Sequence, residues 1–254
     1  MNKKGFAANG VLFAVLFAFA ANAGAQVTDS SRSVRSYTGL LTVTNKGIST
    51  IPSFTLGRPA ATVDLIVSGK RLSFEPQFRV ALEDGKPWSF IFRWRYRAIQ
   101  KKKVNLRFGA QPVLSFRTRT FDSDGTPEDV IEARRYLASE MTFNYTPAPR
   151  VTLGTYYLYS HGIDPSSNRN THYVGLNLGL VNVPVAPRLT FSLVPQIYYL
   201  RIVGDQGFYV MSRFSLDMAD FPLSLQAIVN KTIDSEIAGD DFLWNVSLLY
   251  AFRF

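Results

Sequence analysis

Large apolar residues recur at every second position along most of this chain, with polar or small residues between them. In the last segment Trp244, Val246, Leu248, Tyr250, Phe252 and Phe254 alternate with Asn245, Ser247, Ala251 and Arg253. A two-residue period belongs to a strand with one apolar and one polar face. The alternation returns at Val63, Leu65 and Val67, and again at Leu72, Phe74, Phe78, Val80 and Leu82. It is sharpest at Trp88, Phe90, Phe92, Trp94 and Tyr96, where the intervening face carries Arg93, Arg95 and Arg97. Comparable runs lie within residues 104–119, 140–145, 151–160, 173–180, 189–198, 208–217 and 223–230. With Ile48–Gly57 taken as the first strand, the pattern predicts about twelve strands (roughly 10–14).

No apolar run after residue 25 approaches the ~20 residues of a spanning helix, so a membrane location requires strands. A terminal aromatic strand would also leave a sticky edge on a soluble domain. The closing strand resembles the last strand of bacterial outer-membrane β-barrels, which typically end in Phe with aromatics stepping back by two. That resemblance implies an all-β, transmembrane antiparallel β-barrel in which the last strand pairs with the first. It further implies surroundings of outer-membrane lipid and lipopolysaccharide, and engagement of the barrel assembly machinery through Trp244 to Phe254.

The N-terminus fits such a destination. Lys3 and Lys4 precede an apolar run over 11–21 and an Ala23-Gly24-Ala25 site, which predicts a signal peptide over 1–25. Its removal lowers the net charge from +9 to +7. Residues 26–47 form an N-terminal segment whose Tyr37–Thr44 reads as an extra strand, a luminal segment or a periplasmic tail; the barrel proper is expected over 48–254. The chain has no Cys, hence no disulfide framework and no lipid-modified mature terminus.

Short periplasmic turns and longer outer loops are the rule in these barrels. With a periplasmic C-terminus, the turns are 68–71, 99–103, 146–150, 182–188 and 219–222, while the outer loops include 57–60, 83–87, 122–132, 162–170, 203–206 and 234–241. Acidic residues such as Asp129, Asp234 and Asp240 gather on the outer side, and Lys101, Lys102, Lys103 and Arg150 on the other. Thr126-Pro127-Glu128-Asp129 has the signature of a helix start, so a helical turn is expected in the third outer loop. Pro52, Pro76 and Pro195 fall within strand patterns and predict bulges or rim positions.

The polar parity should face the lumen. It places Glu75, Arg79, Arg93, Arg95, Arg97, Arg107, Arg117 and Arg119 on three consecutive strands, and Tyr156, Tyr173, Tyr198 and Tyr209 on the far wall, with Gly154, Gly175 and Gly179 leaving room. Regular register would bring Arg97 near Glu75, Arg93 near Arg79, and Arg95 near Arg107. A basic wall facing a tyrosine wall suits a ringed anion, because Arg pairs with carboxylate or phosphate and Tyr offers a flat face with a hydroxyl. In this the chain is similar to narrow twelve-stranded porins for acidic oligosaccharides, and the expectation is an anion-favouring pore for small anionic solutes. A lumen filled by Arg–Glu networks, with Glu140, Asp64 and Asp217 as counter-charges, is the alternative.

A third reading concerns the rim from Tyr159 to His172, which holds both histidines. Outer-membrane phospholipases and lipid A deacylases place a His with a nearby Ser at such a rim, and here His161, Asp164 and Ser167 are the candidates. The phospholipase pattern of His, one residue, then Ser-Asn-Gly is absent, since Gly162, Ile163 and Asp164 follow His161. An enzyme is therefore not expected, nor is a metal or cofactor. Nucleic-acid binding is excluded as a reading of the positive charge, because the basic residues are interior by parity or face the periplasm.

Overall fold

The strand pattern closes on itself. The computed structural model describes residues 36–123 and 126–253, and these form twelve antiparallel strands in one closed barrel. They are β1 (Ser36–Thr44), β2 (Ala60–Ser68), β3 (Leu72–Ala81), β4 (Pro87–Gln100), β5 (Val104–Ser123), β6 (Thr126–Ala148), β7 (Val151–Gly162), β8 (Asn170–Ala186), β9 (Leu189–Ile202), β10 (Asp205–Met218), β11 (Leu223–Ser235) and β12 (Phe242–Arg253). Each strand pairs with its sequence neighbours, and β1 pairs with β12 from Thr38↔Arg253 to Thr44↔Ser247. At this seam the ring of Phe252 lies against Gly39, directly opposite in register, so an aromatic covers the one position of β1 that lacks a side chain. Phe254 and the expected signal peptide lie outside the described residues.

The apolar parity points outward. Leu176, Leu178, Leu180, Ile197, Leu225, Trp244, Val246 and Leu248 are exposed, while Asn177, Gln196, Asn245, Ser247 and Leu249 on the other parity are buried. A barrel closed in this way pairs its backbone polar groups internally and offers lipid a hydrocarbon surface.

Four expectations are corrected. The first strand is Ser36–Thr44, and Ile48–Gly57 is not a strand but part of the loop between β1 and β2. Pro52 has no N–H to give a ladder and starts a 3-10 turn at Pro52–Phe54. The carbonyl of Phe54 accepts a bond from Trp88 Nε1 at 2.8 Å, and its ring meets Tyr136 edge-on at 5.2 Å, so the loop folds into the barrel mouth. The helical turn expected after Thr126 is absent, because β5 and β6 pair without interruption from Val104↔Tyr145 to Ser123↔Thr126. Their tips, past the last pairings with β4 and β7, form a two-stranded extension of about 25 Å. The connection expected over 182–188 shrinks to a tight turn at Pro187-Arg188, since β8 continues to Ala186.

The fourth correction concerns register. Glu75 stands opposite Arg93, Arg97 opposite Arg107, and Arg95 opposite Gly109, a register set by where the β3–β4 and β4–β5 hairpins turn; bulges between Arg79 and Val80 and between Arg97 and Ile99 each shift it by one residue more. Pro76, Pro112 and Pro195 each sit where one flanking ladder is interrupted, towards β2, β4 and β8 respectively, while the other flank stays paired. A missing donor is tolerated on the side that lacks a partner.

Candidate functional site

The lumen is built from the inward parity of the strands, and its middle is crossed by a charged clamp. Arg95 of β4 is 3% exposed. Its Nη1 donates to Glu75 Oε2 of β3 at 2.6 Å, and its Nε donates to Glu140 Oε1 of β6 at 2.5 Å. Ser73 Oγ donates to the other oxygen of Glu75 at 2.7 Å, and Tyr156 Oη to the other oxygen of Glu140 at 2.7 Å. Two carboxylates thus hold one guanidinium, with every carboxylate oxygen engaged. That is the condition under which buried ions are tolerated.

The neighbouring arginines are held differently. Arg79 donates through Nε and Nη2 to Gln77 Oε1, whose amide nitrogen in turn donates to Asp64. The guanidinium of Arg79 lies 4.8 Å from the Trp88 ring centroid, within cation–π range. Arg93 donates Nε to Gln111 Oε1 at 2.8 Å, and its nearest carboxylate, Glu140, is 3.8 Å away. These two cations therefore meet neutral amides first.

Opposite them the tyrosines form a ladder across β7 to β10. Tyr156 meets Tyr173 edge-on at 5.7 Å, Tyr173 stacks on Tyr198 at 4.9 Å, and Tyr198 stacks on Tyr209 at 4.8 Å. Tyr173, Tyr198 and Tyr209 find Gln196, Asn230 and Ser235 through their hydroxyls. The space expected beside Gly154 and Gly175 is taken by amide groups: a Cβ at Gly154 would meet Asn144 and Asn177, and one at Gly175 would meet Gln196. Asn144, Asn177 and Thr152 retain buried side-chain atoms with no protein hydrogen-bond partner among the described residues.

On the long-loop side of the clamp lies a cavity of about 140 Å³. Arg79, Arg93, Arg95, Arg213, Gln77, Gln111 and Gln196 line it with Ile51, Phe54, Ile91, Val113, Tyr136, Ala138 and Leu158. Of the residues expected in the lumen, Arg79, Arg93, Arg95, Tyr156 and Tyr173 reach this cavity, and Glu75 stands behind it in the clamp. Arg97 and Arg107 sit nearer the short-turn end. Arg117 lies in the upper part of β5, and Arg119 is half-exposed above the rim, paired with Glu132 at 2.8 Å. Arg213 was legible by parity alone. Ile91 and Leu158 likewise share the inward parity of Arg93 and Tyr156, whereas the part of the lining from Ile51 and Phe54 was not legible, because it comes from the loop between β1 and β2.

The rim candidates are not assembled into a catalytic group. His161 Nδ1 is 3.2 Å from Asn170 Oδ1, while Asp164 is bound by the backbone N–H and guanidinium of Arg135 at 2.6 and 2.5 Å. Ser167 is buried, and its hydroxyl bonds neither of them. His172 turns instead to Tyr157 Oη at 3.1 Å. The side-chain bond from Arg135 holds the Asp164 carboxyl below its ordinary value of 3.8. A lowered folded-state value contributes loop stability that is present above the ordinary carboxylate range and is lost as pH falls through the folded value. Amide protection factors in residues 163–169, corrected for the intrinsic pH dependence of exchange, should therefore fall only on acidification below about pH 4, and Asp164→Asn should lower them at neutral pH. Unchanged protection in that variant would show that Asp164 does not anchor the loop.

No family model matches this sequence, and no curated protein does. Among solved structures, the chain is similar to the COG4313 outer membrane channel from Pseudomonas putida F1, with 12% identity over 90% of this chain and 100% of that one and a TM-score of 0.50. It is also similar to LpxR from Salmonella typhimurium, with 11% identity, 85% and 100% coverage and a TM-score of 0.48. OmpT of Vibrio cholerae follows with 9% identity, 90% and 100% coverage and a TM-score of 0.42. The first of these likenesses, with the closed twelve-stranded sheet, shows the fold of a bacterial outer-membrane β-barrel.

Proposed function

We propose that this outer-membrane β-barrel is a narrow passive passage that favours small anionic solutes, with its C-terminus and short turns on the periplasmic side. One observation carries the reading: Arg79 and Arg93 face the luminal cavity with neutral Gln77 and Gln111 as their nearest partners. A cation bonded to an amide keeps its charge available to a passing solute, whereas Arg95, held by two carboxylates, contributes little field. An anion entering the mouth would exchange part of its water for these guanidiniums and leave through the amide-lined half beyond the clamp. The unpartnered atoms of Asn144, Thr152 and Asn177 support a hydrated path there.

The clamp and the stacked tyrosines favour a second reading, in which the lumen is filled and the barrel is structural. Reversal potential in a salt gradient across planar bilayers separates the two. The passage reading expects discrete anion-selective steps, and loss of selectivity in Arg79→Ser/Arg93→Ser. Silence from a folded, inserted barrel would favour the filled lumen. Steps whose selectivity survives the double substitution would move the filter elsewhere.

A further inference from the structure

We infer that the luminal cavity is a binding site for a small monocarboxylate with an apolar body about the size of one six-membered ring. The inference rests on the anion-passage reading and names its solute class.

Size is the first constraint. A cavity of about 140 Å³ compares with the roughly 150 Å³ of an apolar cavity that accepts benzene. That volume matches one ring.

The walls set the second constraint. Ile51 and Phe54 from the inward-folded loop, with Ile91, Val113, Ala138 and Leu158 from β4 to β7, present hydrocarbon to the cavity. The lining also carries Ser49, Thr50, Ser89 and Ser160, so a ring's hydroxyls are tolerated only where they meet these groups; against the hydrocarbon residues each would give up hydrogen bonds with water and gain none. Tyr198 and Tyr209 offer no flat face to the cavity, because they are buried and stacked on one another and on Tyr173, which leaves Tyr156 and Tyr173 as the ladder's part of the lining. A ring without hydroxyls meets the same walls favourably.

The floor supplies the charge. Arg93 uses only Nε for Gln111, and neither of its Nη groups makes a hydrogen bond among the described residues. Arg79 is fixed over Trp88 and spends Nε and Nη2 on Gln77, which leaves Nη1. One carboxylate can take these donors while its apolar body lies against the walls, an arrangement set by bonds that already orient both guanidiniums.

The test uses three probes of one ring size: cyclohexanecarboxylate, glucuronate and neutral cyclohexanemethanol. Binding to the folded barrel in detergent is measured by calorimetry, with Arg93→Gln, which keeps the amide contact but not the charge, as the control against partition into micelles. Cyclohexanecarboxylate should bind at least tenfold tighter than glucuronate and the alcohol, and Arg93→Gln should weaken it about tenfold or more. Ala138→Phe, which fills the cavity, should abolish binding. Equal or tighter binding of glucuronate, equal binding of the alcohol, binding unaffected by both substitutions, or no binding to a folded barrel would each overturn the site. Because the readout needs no conduction, loss of the site with anion selectivity intact would leave the passage standing. Binding to a barrel that passes no current would keep the site and remove the passage.

Discussion

Replacing Arg95 by alanine is expected to destabilise the barrel by about 3–5 kcal/mol, the cost of leaving buried charge without its partner. The substitution strips the cation from Glu75 and Glu140, whose side chains are 9% and 2% exposed. Ser73 and Tyr156 would remain as neutral donors, too few to solvate two buried carboxylates, Glu75 lying 20 residues before Arg95 and Glu140 45 residues after it. Urea unfolding in lipid vesicles, followed by tryptophan fluorescence and by the mobility difference between folded and unfolded barrel, measures the change. The charge-free variant Glu75→Gln/Arg95→Met/Glu140→Gln should recover most of the loss, since removing all partners of a buried ion cluster is often neutral or stabilising. An Arg95→Ala barrel that unfolds like its parent would show that the clamp carries no stability. The same variant should leave most anion selectivity in place, because Arg79 and Arg93 rather than Arg95 hold available charge.

The second large effect lies on the opposite parity. Leu176→Arg should cost roughly 2–4 kcal/mol in the same vesicle assay, the range for a basic residue on the lipid face near the bilayer midplane. Leu176 is 51% exposed, midway along β8 and flanked by Val174 and Leu178. In water such exposure would cost the parent and favour the arginine, so the sign of the change reports the solvent around the barrel. Leu176→Phe is expected to be close to neutral. A stabilising or silent Leu176→Arg would mean that this face does not meet hydrocarbon.

The alternation of Trp244 to Phe252 was enough to recognise a strand, its two faces and the barrel class, because a period of two is a local property of extended backbone. The same rule set the inward parity, which Arg79, Arg93, Arg95 and the four tyrosines share; Arg79, Arg93, Arg95, Tyr156 and Tyr173 line the cavity. It misplaced the first strand, since Ile48–Gly57 carries apolar residues in suggestive positions that in the fold pack into the mouth. Pro52 was visible as a breaker. That Phe54 would lie between Trp88 and Tyr136 was not, because those partners arrive from β4 and β6.

Which arginine meets which carboxylate belonged to the tertiary structure alone. Where each hairpin turns, together with the one-residue bulges at Arg79/Val80 and Arg97/Ile99, sets every pairing along it, and nothing in the local alternation signals either. Glu140 lies 45 residues from Arg95 and reaches it only because β6 pairs with β5 in a register that sets Glu140 opposite Gly109, which leaves room for the carboxylate. The division of the lumen followed in the same way: parity states that a side chain points inward, but closure of the sheet decides what it faces there. The sequence by itself determined strands, faces and the sign of the inner charge; closure and register decided that Arg95 is clamped between two carboxylates while Arg79 and Arg93 bond neutral amides.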